Sequence, residues 1–489
     1  MWYKTKPHAQ QLAALKKAAG RPAFAYLCEM GTGKSKMVID EASILFSKGA
    51  IGAVLILCPN GGQQNWVLRE IPAHCAVKYK AAYKVAGWKK AERNAWLDTI
   101  AAPPDTLKFF CINIDQLVVK AGVETMESIL KLWPTYMAVD ESHRVKGPDS
   151  QRSLALHKLG PRASHRRILS GTASPQSPLD LFSQFYFLDS RILGHSSFTP
   201  FRAEYAVLQK MPLADKYQPR GSDGNTTSKR FYWKILAYRN GEKLKALIAP
   251  YSFSCKLTDC VDMPPLIFRE LRVELTDSQR RIYDDLKQLS AASIEGCPAH
   301  LTSDDAKLLW LIENADIVPG HALTELLRLQ QVVGGFVDGH VLENNRIATL
   351  LDHLEDISGP VIIWARFVAE IEAIADALGD DCVTYYGKTK PDERTRAVDL
   401  FQSGQRRYFV GQPSTAGIML TLTASSHIVH YSKSWKADDY LQSNARAWRI
   451  GQRLPVTVTD MIAADTIDRV IHSVVKQKAA RMDELLYGV

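Results

Sequence analysis

The chain has 489 residues, of which 46% are hydrophobic and 23% are charged, as in folded soluble domains. This length corresponds to about three domains of average size, or to two large ones, and it excludes a small scaffold held by disulfides. Lysine and arginine number 61 against 52 acidic residues, so the net charge of +9 permits a polyanionic partner without establishing one.

Short β-branched or aromatic runs alternate with helical patterns along most of the chain, which is typical of parallel sheets with crossover helices. A first set of predicted strands comprises Val54–Cys58, Lys108–Ile112, Tyr136–Asp140 and Arg166–Ser170. A second set comprises Val361–Trp364, Cys382–Tyr385, Arg407–Val410, His427–Tyr431 and Val456–Met461. Because two strand sets require two sheets of ordinary size, we predict an α/β fold with lobes over 1–190 and 345–489.

The segment between the lobes, 191–344, is predicted to be rich in helix, at Ser278–Ser290, Asp304–Asn314 and Leu323–Val333. Within it, residues 201–245 carry ten lysines or arginines, four acidic residues and seven aromatic residues, with a predicted loop at Gly221–Ser228. This basic aromatic segment could grip a duplex or stack an unpaired base. Alternatively, it is a solvated helical insertion whose aromatic side chains pack on the first lobe.

A glycine-rich loop that ends in Lys34 and Ser35 lies between the apolar run Phe24–Leu27 and the helical pattern Lys36–Phe46. Strand, glycine loop and helix is the context of a P-loop, whose backbone N–H groups surround phosphate oxygens at a helix N-terminus. Lys34 would supply a charge to the β and γ phosphates, and Ser35 a hydroxyl to magnesium. The first glycine of the usual pattern is Cys28 here, and an ordinary turn before a helix is the alternative. The residues predicted to surround the phosphates are Gly31, Thr32, Gly33, Lys34 and Ser35.

Two carboxylates, Asp140 and Glu141, follow the apolar run that begins at Tyr136. Ligands of parallel sheets bind at the carboxyl edge of the strands, and this pair is predicted to lie at that edge. The two carboxylates can therefore serve as the acidic partner that a P-loop needs. Asp140 would hold magnesium, and Glu141 would orient or deprotonate the attacking water. The alternative is a strand followed by an acidic turn.

Several segments resemble, in the same order, the boxes of superfamily-two helicases. Asp140-Glu-Ser-His143 resembles their Asp-Glu-x-His box, and the eleven residues from Gln442 to Gln452 closely resemble the Swi/Snf-like Gln-x-x-x-Arg-Ala-x-Arg-Ile-Gly-Gln box. Further resembling segments are Pro7–Gln11, Leu57–Asn60, Ser170–Ala173, Met263–Pro265, Leu326–Gln331, Val361–Phe367, Tyr386–Thr389 and Ser414–Gly417. The chain is thus similar to Swi/Snf-like ATPases and looks like a compact member from a bacterium or phage.

This resemblance implies two RecA-like parallel-sheet lobes with an α-helical insertion between them. It implies that Gln11 reads adenine and that Arg446 and Arg449 reach across a cleft to the γ-phosphate, where an arginine finger stabilises the transition state. The implied nucleic-acid contacts are Asn60, Arg366, Lys388, Ser414, Thr415 and Trp435. The implied coupling residues are His143, Ser170, Thr172 and Gln442, although a structural role for His143 is an alternative. Departures from the family pattern are Asn444, Ala445 and Trp448 in the last box and Ile418, Met419 and Leu420 after Gly417.

By the same resemblance we expect an ATP-dependent motor that uses Mg²⁺ and moves on double-stranded DNA, with branched or single-stranded DNA as other possible substrates. The alternatives are a strand-separating helicase and, in another class, an ATP-gated nucleic-acid clamp with little turnover. The eight cysteines include no C-x-x-C pair, which favours buried free thiols in a reducing compartment. The N-terminus lacks an apolar signal core, so a cytoplasmic monomer without a membrane partner is expected.

Overall fold

A computed structural model describes residues 3–84, 90–171, 177–212, 231–293, 303–313, 320–416 and 420–487. The strands, in chain order, are β1 (Ala23–Cys28), β2 (Ala53–Cys58), β3 (Tyr79–Lys84), β4 (Leu107–Asn113), β5 (Thr135–Asp140), β6 (His165–Leu169), β7 (Ala206–Pro212), β8 (Phe231–Tyr238), β9 (Ser252–Cys255), β10 (Leu266–Val273), β11 (Phe336–Val337), β12 (His340–Val341), β13 (Val361–Trp364), β14 (Cys382–Tyr385), β15 (Tyr408–Gly411), β16 (His427–His430) and β17 (Val456–Ala463). The predicted strands are all present, with ends that differ by at most two residues.

The helices agree with the predicted helical patterns to within a few residues at their ends. In chain order they are α1 (Ala9–Ala18), α2 (Lys34–Ser47), α3 (Gly62–Asn65), α4 (Ile71–His74), α5 (Lys90–Ile100), α6 (Lys120–Leu132), α7 (Gln151–Leu159), α8 (Leu181–Leu188), α9 (Phe198–Tyr205), α10 (Gly241–Ile248), α11 (Asp277–Ser293), α12 (Asp304–Glu313), α13 (Gly320–Val333), α14 (Arg346–Glu355), α15 (Val368–Leu378), α16 (Pro391–Gln402), α17 (Pro413–Ala416), α18 (Ala437–Asn444) and α19 (Ile467–Tyr487). A π-helix, Trp66–Glu70, lies between α3 and α4.

The described residues fall into two compact units. The first lies within Met1–Val207, Ile235–Asp262 and Arg481–Val489, and the second within Leu208–Lys234 and Met263–Ala480. The first unit contains a parallel sheet in the order β3-β4-β2-β5-β6-β1-β9. Every residue of β1, β2 and β5 is buried, as expected for strands covered on both faces.

The second unit contains another parallel sheet, in the order β10-β17-β16-β13-β15-β14. Its central strands β13 and β15 are buried throughout. Two parallel α/β sheets confirm the predicted fold class. The segment 191–344 holds several helices, and it also contributes β9 to the first sheet and β10 to the second.

Of the strands in the two large parallel sheets, the sequence patterns did not reveal β3, β9 and β10, and all three are edge strands. Edge strands are half exposed and carry charged residues, so they lack the continuous apolar run of a central strand. The Tyr-Lys-Ala-Ala-Tyr-Lys sequence of β3 and the Leu-Ile-Phe-Arg-Glu-Leu-Arg-Val sequence of β10 have this mixed character. The third strand, β9, has only four residues, Ser-Phe-Ser-Cys, and no charged residue, so it was missed because its apolar pattern is too short.

Both units bury an arginine that is held by a carboxylate and by backbone carbonyls. In the first unit Arg167 forms two bonds to Glu41, which also accepts hydrogen bonds of 2.8 Å from the hydroxyls of Tyr26 and Tyr136. In the second unit Arg346 donates to Asp468 at 2.8 Å and to the carbonyl of Met461 at 3.1 Å. Removing one partner of a buried ion pair typically costs about 3–5 kcal/mol, so these pairs fix the sheets and helices that they join.

Seven cysteines of the described ranges, Cys28, Cys58, Cys75, Cys111, Cys255, Cys260 and Cys382, are free thiols. Within the same ranges, no helix combines the length and the apolar character needed to cross a membrane. Thr172, Gly417, Ile418, Met419, Cys297 and the predicted loop Gly221–Ser228 lie outside the described residues.

Candidate active site

The glycine loop of the first unit connects β1 to α2 at the carboxyl edge of the sheet. Gly31 and Gly33 have φ values of +81° and +85°, in the left-handed region that glycine adopts without steric cost. Lys34 begins α2, and its ammonium donates to the carbonyls of Cys28 at 2.7 Å and of Glu29 at 3.1 Å. Of the five predicted phosphate-binding residues, Gly31, Thr32 and Gly33 therefore lie in the loop, and Lys34 and Ser35 lie in the first turn of α2. Anions are favoured at such a helix N-terminus.

Gln11, the predicted adenine reader, contacts this loop directly. Its side chain is buried and donates to the carbonyl of Thr32 at 3.2 Å, while its carbonyl oxygen accepts the His8 N–H at 3.0 Å. A Cβ atom on Gly33 would lie 2.2 Å from the Gln11 amide nitrogen, so only glycine leaves room for this contact. The glutamine thus connects α1 to the phosphate loop.

The two predicted carboxylates lie where β5 ends, and β6 is the one strand between β5 and β1 in the sheet. Asp140 is 5% exposed, and burial, followed by the negative charge of Glu141, raises the pKa of Asp140 to about 7. The ammonium of Lys34 acts on Asp140 in the opposite direction, so the two residues are electrostatic neighbours. Glu141 has a φ of +50°, a strained backbone conformation that costs about 1–3 kcal/mol and is typical of active sites.

Trp66 is a contact of this site that the sequence patterns did not indicate. Its indole N–H donates to Asp140 Oδ2 at 3.0 Å, and the ring is completely buried. The other carboxylate oxygen, Oδ1, accepts the backbone N–H of Glu141 at 3.0 Å. A single tryptophan carries no periodicity or spacing signal, so only the structure could find this bond.

The oxygen ligands at this edge suit Mg²⁺, which prefers carboxylates, hydroxyls and substrate phosphates. A carboxylate has about four lone-pair positions, and each oxygen of Asp140 accepts one N–H bond, so lone pairs remain for a metal. The hydroxyl of Ser35, in the first turn of α2, would supply a second hard ligand. The residues present therefore fit the ion that the family resemblance implies.

Two predicted coupling residues of the first unit, Ser170 and His143, lie within the described residues. Ser170 is buried, and its N–H donates to the carbonyl of Tyr26 at 3.2 Å. A Cβ atom on Gly171 would lie 2.9 Å from the side chain of Met30, so the backbone after β6 approaches the loop closely. His143 Nδ1 lies 3.4 Å from Glu141 Oε2. Contact with the candidate catalytic glutamate is compatible with either role predicted for this histidine.

The two predicted arginine-finger residues converge on one carbonyl of the second unit. Arg446 and Arg449 donate to the carbonyl of Leu420 at 3.3 and 2.9 Å, and Arg446 also donates to the carbonyl of Gln442 at 2.8 Å. The preceding helix, α18, is anchored by Tyr440, whose hydroxyl donates to buried Asp460 at 3.0 Å. The structure thus brings Gln442, Arg446 and Arg449 together in one turn.

Two departures from the family box have local structural roles. Asn444 Oδ1 lies 2.8 Å from Nε2 of buried His430, and burial lowers the pKa of that histidine to about 4. A neutral amide is a suitable partner for a neutral imidazole. Trp448 donates its indole N–H to the carbonyl of Pro264 at 2.8 Å and so fixes the bridge before β10. Both substitutions therefore support the arginine turn without removing a catalytic charge.

Five predicted nucleic-acid residues of the second unit follow the ends of β13, β14, β15 and β16, and therefore lie toward the carboxyl edge of its parallel sheet. The guanidinium of Arg366 lies 4.1 Å from the ring centre of Trp435. Burial lowers the pKa of Arg366 to about 10, which leaves it charged at neutral pH. Gln330 contacts the Arg366 guanidinium and donates to the carbonyl of Lys433 at 2.7 Å. These contacts connect α13 to the Arg366 and Trp435 pair.

The other predicted nucleic-acid contacts differ in their exposure and in their side-chain partners. Thr415 donates to the side chain of Gln412 at 3.1 Å, and Ser414 is exposed beside it. Lys388 is exposed and pairs with Glu372 at 2.7 Å. Asn60, in the first unit, is an exposed residue in the turn after β2.

The basic aromatic segment 201–245 divides into packed and exposed parts. Phe201 and Tyr205 are buried, with ring centres 4.7 Å apart, and Phe201 packs against Phe182 at 5.1 Å. Trp233 is 47% exposed and Tyr238 is 38% exposed. The aromatic residues of α9 therefore pack on the first unit, as the second of the two interpretations of this segment predicted. In β8, by contrast, Trp233 and Tyr238 are exposed to solvent.

Comparison with known proteins finds two family models along the chain. One, described as "SNF2-related domain", matches residues 26–325, and the other, described as "Helicase conserved C-terminal domain", matches residues 345–451. The first of these alone covers more than half of the chain.

Individual relatives are distant. "SNF2 domain-containing protein ENL1" of Oryza sativa subsp. japonica is 25% identical over 391 residues, which cover 71% of this chain and 38% of the relative. "Putative ATP-dependent helicase/translocase YwqA" of Bacillus subtilis is 22% identical over 389 residues, which cover 76% and 38%. A solved structure, "Sulfolobus solfataricus SWI2/SNF2 ATPase core in complex with dsDNA", is 19% identical with a TM-score of 0.40, over 99% of this chain and 93% of that one. The chain spans less than half the length of these two curated relatives.

Proposed function

The chain belongs to the SNF2-related domain family, and we propose that it is a DNA-dependent ATPase that uses ATP hydrolysis to move along double-stranded DNA. The observation that carries this proposal is the arrangement at one sheet edge of the first unit. There, the P-loop Lys34, the buried carboxylate of Asp140 and the strained Glu141 follow strands that are separated only by β6. The name of the Bacillus subtilis relative, a putative helicase or translocase, agrees with a motor.

In this proposal the first unit binds and positions ATP. The backbone N–H groups after Gly31 hold the phosphates, and the ammonium of Lys34 exchanges its bonds to the loop carbonyls for bonds to β and γ oxygens. Bound Mg²⁺ supplies positive charge to the same oxygens. Asp140 and Ser35 are its proposed protein ligands. Glu141 orients the attacking water and accepts its proton.

Arg446 and Arg449 of the second unit are proposed to stabilise the charge that develops on the transferring phosphoryl group. Both guanidinium groups donate to the carbonyl of Leu420, and Arg446 also donates to the carbonyl of Gln442. The planar fork of a guanidinium matches the geometry of phosphate oxygens. Their contribution arises in the transition state, in which charge spreads over the equatorial oxygens.

The second unit is also proposed to hold DNA through its phosphate backbone. Arg366 stacks on Trp435, and both lie toward the carboxyl edge of the sheet with Thr415 and Lys388. Contacts of this kind position a protein on DNA without reading sequence, and they weaken steeply as salt rises. Duplex specificity is part of the proposal and is the property that the first experiment tests.

The test measures steady-state ATP hydrolysis by the full chain with duplex DNA, with single-stranded DNA and without nucleic acid. We expect duplex DNA to stimulate turnover more than single strands, because the motor couples hydrolysis to duplex movement. A triplex-displacement assay then checks that ATP drives movement along the duplex.

Two other outcomes would contradict the proposal of a duplex-dependent motor. Stronger stimulation by single strands, accompanied by strand separation, would favour a helicase. Nucleotide-dependent DNA binding without turnover on any polymer would favour a clamp. The Arg449→Ala variant, which is expected to lose nearly all turnover, serves as the background control for contaminating ATPases.

A further inference from the structure

The segment that follows β2 leads from a predicted nucleic-acid contact to the candidate magnesium ligand. It begins at exposed Asn60, continues through the short helix α3 and enters the π-helix Trp66–Glu70. Because β2 and β5 are paired parallel strands, with Leu57 opposite Val139, this segment starts beside the end of β5. Trp66, the first residue of the π-helix, returns to that end and donates to Asp140.

The hydrogen bond from Trp66 constrains the Asp140 carboxylate in a way that packing alone cannot. One oxygen accepts the indole N–H at 3.0 Å, and the other accepts the N–H of Glu141 at 3.0 Å. Donors on both oxygens fix the rotation of the carboxylate plane. Trp66 is itself completely buried, so its ring has no alternative orientation in solvent.

The local backbone also indicates a functional role for this position. A π-helix is rare in proteins, and single turns of it occur frequently at functional sites. Buried indole N–H groups normally find a partner, and here the partner is the carboxylate predicted to bind the metal.

We propose that Trp66 is a positioning residue that orients the Asp140 carboxylate for Mg²⁺ binding. This inference rests on the proposed function, because it takes Asp140 as the magnesium ligand of an ATP site. Residues that hold a metal ligand in place typically contribute about 10- to 100-fold to metal affinity or activity. Trp66 would supply that contribution from the segment that also carries Asn60.

The first experiment measures nucleotide binding at equilibrium, without turnover. The full chain is titrated with fluorescent methylanthraniloyl-ADP in excess EDTA and again in saturating Mg²⁺, and the ratio of the two affinities gives the magnesium-dependent gain. The Trp66→Phe variant keeps an aromatic ring and loses the N–H donor. We expect its magnesium-dependent gain to fall by about 10- to 100-fold, with an affinity in EDTA close to that of the unmodified protein.

Trp133→Phe is the matched control in the same unit, because Trp133 stacks on Phe110 at 5.9 Å and is not in the candidate site. Its magnesium-dependent gain should be unchanged. If Trp66 only fills space, Trp66→Phe lowers the melting temperature and leaves the gain unchanged. That result would overturn the inference.

A double-mutant cycle with Asp140→Asn tests whether Trp66 acts through that carboxylate. We expect Trp66→Phe to add no further loss of the magnesium-dependent gain in the Asp140→Asn background, since residues that act through one another are not additive. Additive losses would contradict the positioning role. The two proposals can fail separately. If the magnesium-dependent gain and the results for the variants are as expected, but the unmodified protein hydrolyses no ATP with any nucleic acid, the proposed function fails while the role of Trp66 stands.

Discussion

The two units form their candidate ATP-site residues from different groups and at different places in the fold. In the first unit they follow strands at the carboxyl edge of the parallel sheet, whereas the arginines of the second unit lie between α18 and the start of β17. In the first unit the backbone dominates, with left-handed glycines at Gly31 and Gly33 before the N-terminus of α2. In the second unit long charged side chains dominate, and Arg446 and Arg449 share the carbonyl of Leu420. A backbone cradle binds the ground state of a triphosphate, whereas guanidinium groups stabilise charge that develops later. Damage to the first unit should therefore weaken binding and turnover, and damage to the arginines should weaken turnover alone.

The largest effect is expected for Arg449→Ala. An arginine finger contributes about 10³- to 10⁵-fold to turnover, so this variant should lose nearly all of its ATPase activity. Its affinity for ATP should remain within a few-fold, because the phosphate loop is intact. Steady-state kinetics and equilibrium binding of a nucleotide analogue measure the two quantities separately.

Arg453→Ala is the matched control for that variant. Arg453 follows the arginine box, is exposed, and is bonded there through its backbone N–H to Gln452. Its removal should leave turnover unchanged. Loss of ATP affinity in Arg449→Ala, or normal turnover, would remove the contrast between the two units.

The Lys34→Ala variant should show a smaller loss of turnover together with weaker ATP binding. Removing one preorganised donor to developing charge typically lowers kcat by about 10²- to 10³-fold, and in the proposed function Lys34 would also contact the bound phosphates. Lys48→Ala, at the exposed C-terminal end of the same helix, is the control and should behave as the unmodified protein. If Lys34→Ala retained full ATP affinity, the first unit would act only in the transition state, like the second.

The sequence predicted the central strands of both sheets because parallel strands that are covered on both faces are continuous apolar runs. It did not predict β3 and β10, since these edge strands carry the mixed composition of a half-exposed surface, or β9, whose apolar pattern is too short. The phosphate loop was predictable for a similar reason. Its chemistry depends on adjacent residues, from Gly31 to Ser35, and their order is visible in the chain.

The contacts that hold the site could not be predicted, because they join residues that are distant in sequence. Trp66 and Asp140 are separated by 74 residues, and Arg366 and Gln330 by 36. No spacing rule connects such pairs until the sheet order is known. Sequence motifs thus identify groups that react or bind, while the fold identifies the groups that position them.

The smallest expected effect is that of Lys388→Ala on DNA binding. Lys388 is exposed and paired with exposed Glu372, and such surface ion pairs contribute little to stability. Its loss should therefore leave the melting temperature unchanged. A lysine that neutralises one phosphate contributes about one to the slope of log affinity against log salt. Fluorescence anisotropy with a labelled duplex over a salt series should show weaker binding and a slope reduced by about one.

Lys476→Ala is the matched control for this test. Lys476 is also exposed and also lies near a carboxylate, 3.6 Å from Glu270, but Glu270 is in the middle of edge strand β10 rather than at the carboxyl edge of the sheet. Its removal should alter neither the salt slope nor the affinity. Equal changes in both variants would mean that the duplex responds to net charge alone. A change only in Lys388→Ala would place a DNA phosphate contact beside the end of β14. The carboxyl edge of the second sheet would then bind DNA, while the carboxyl edge of the first sheet binds ATP.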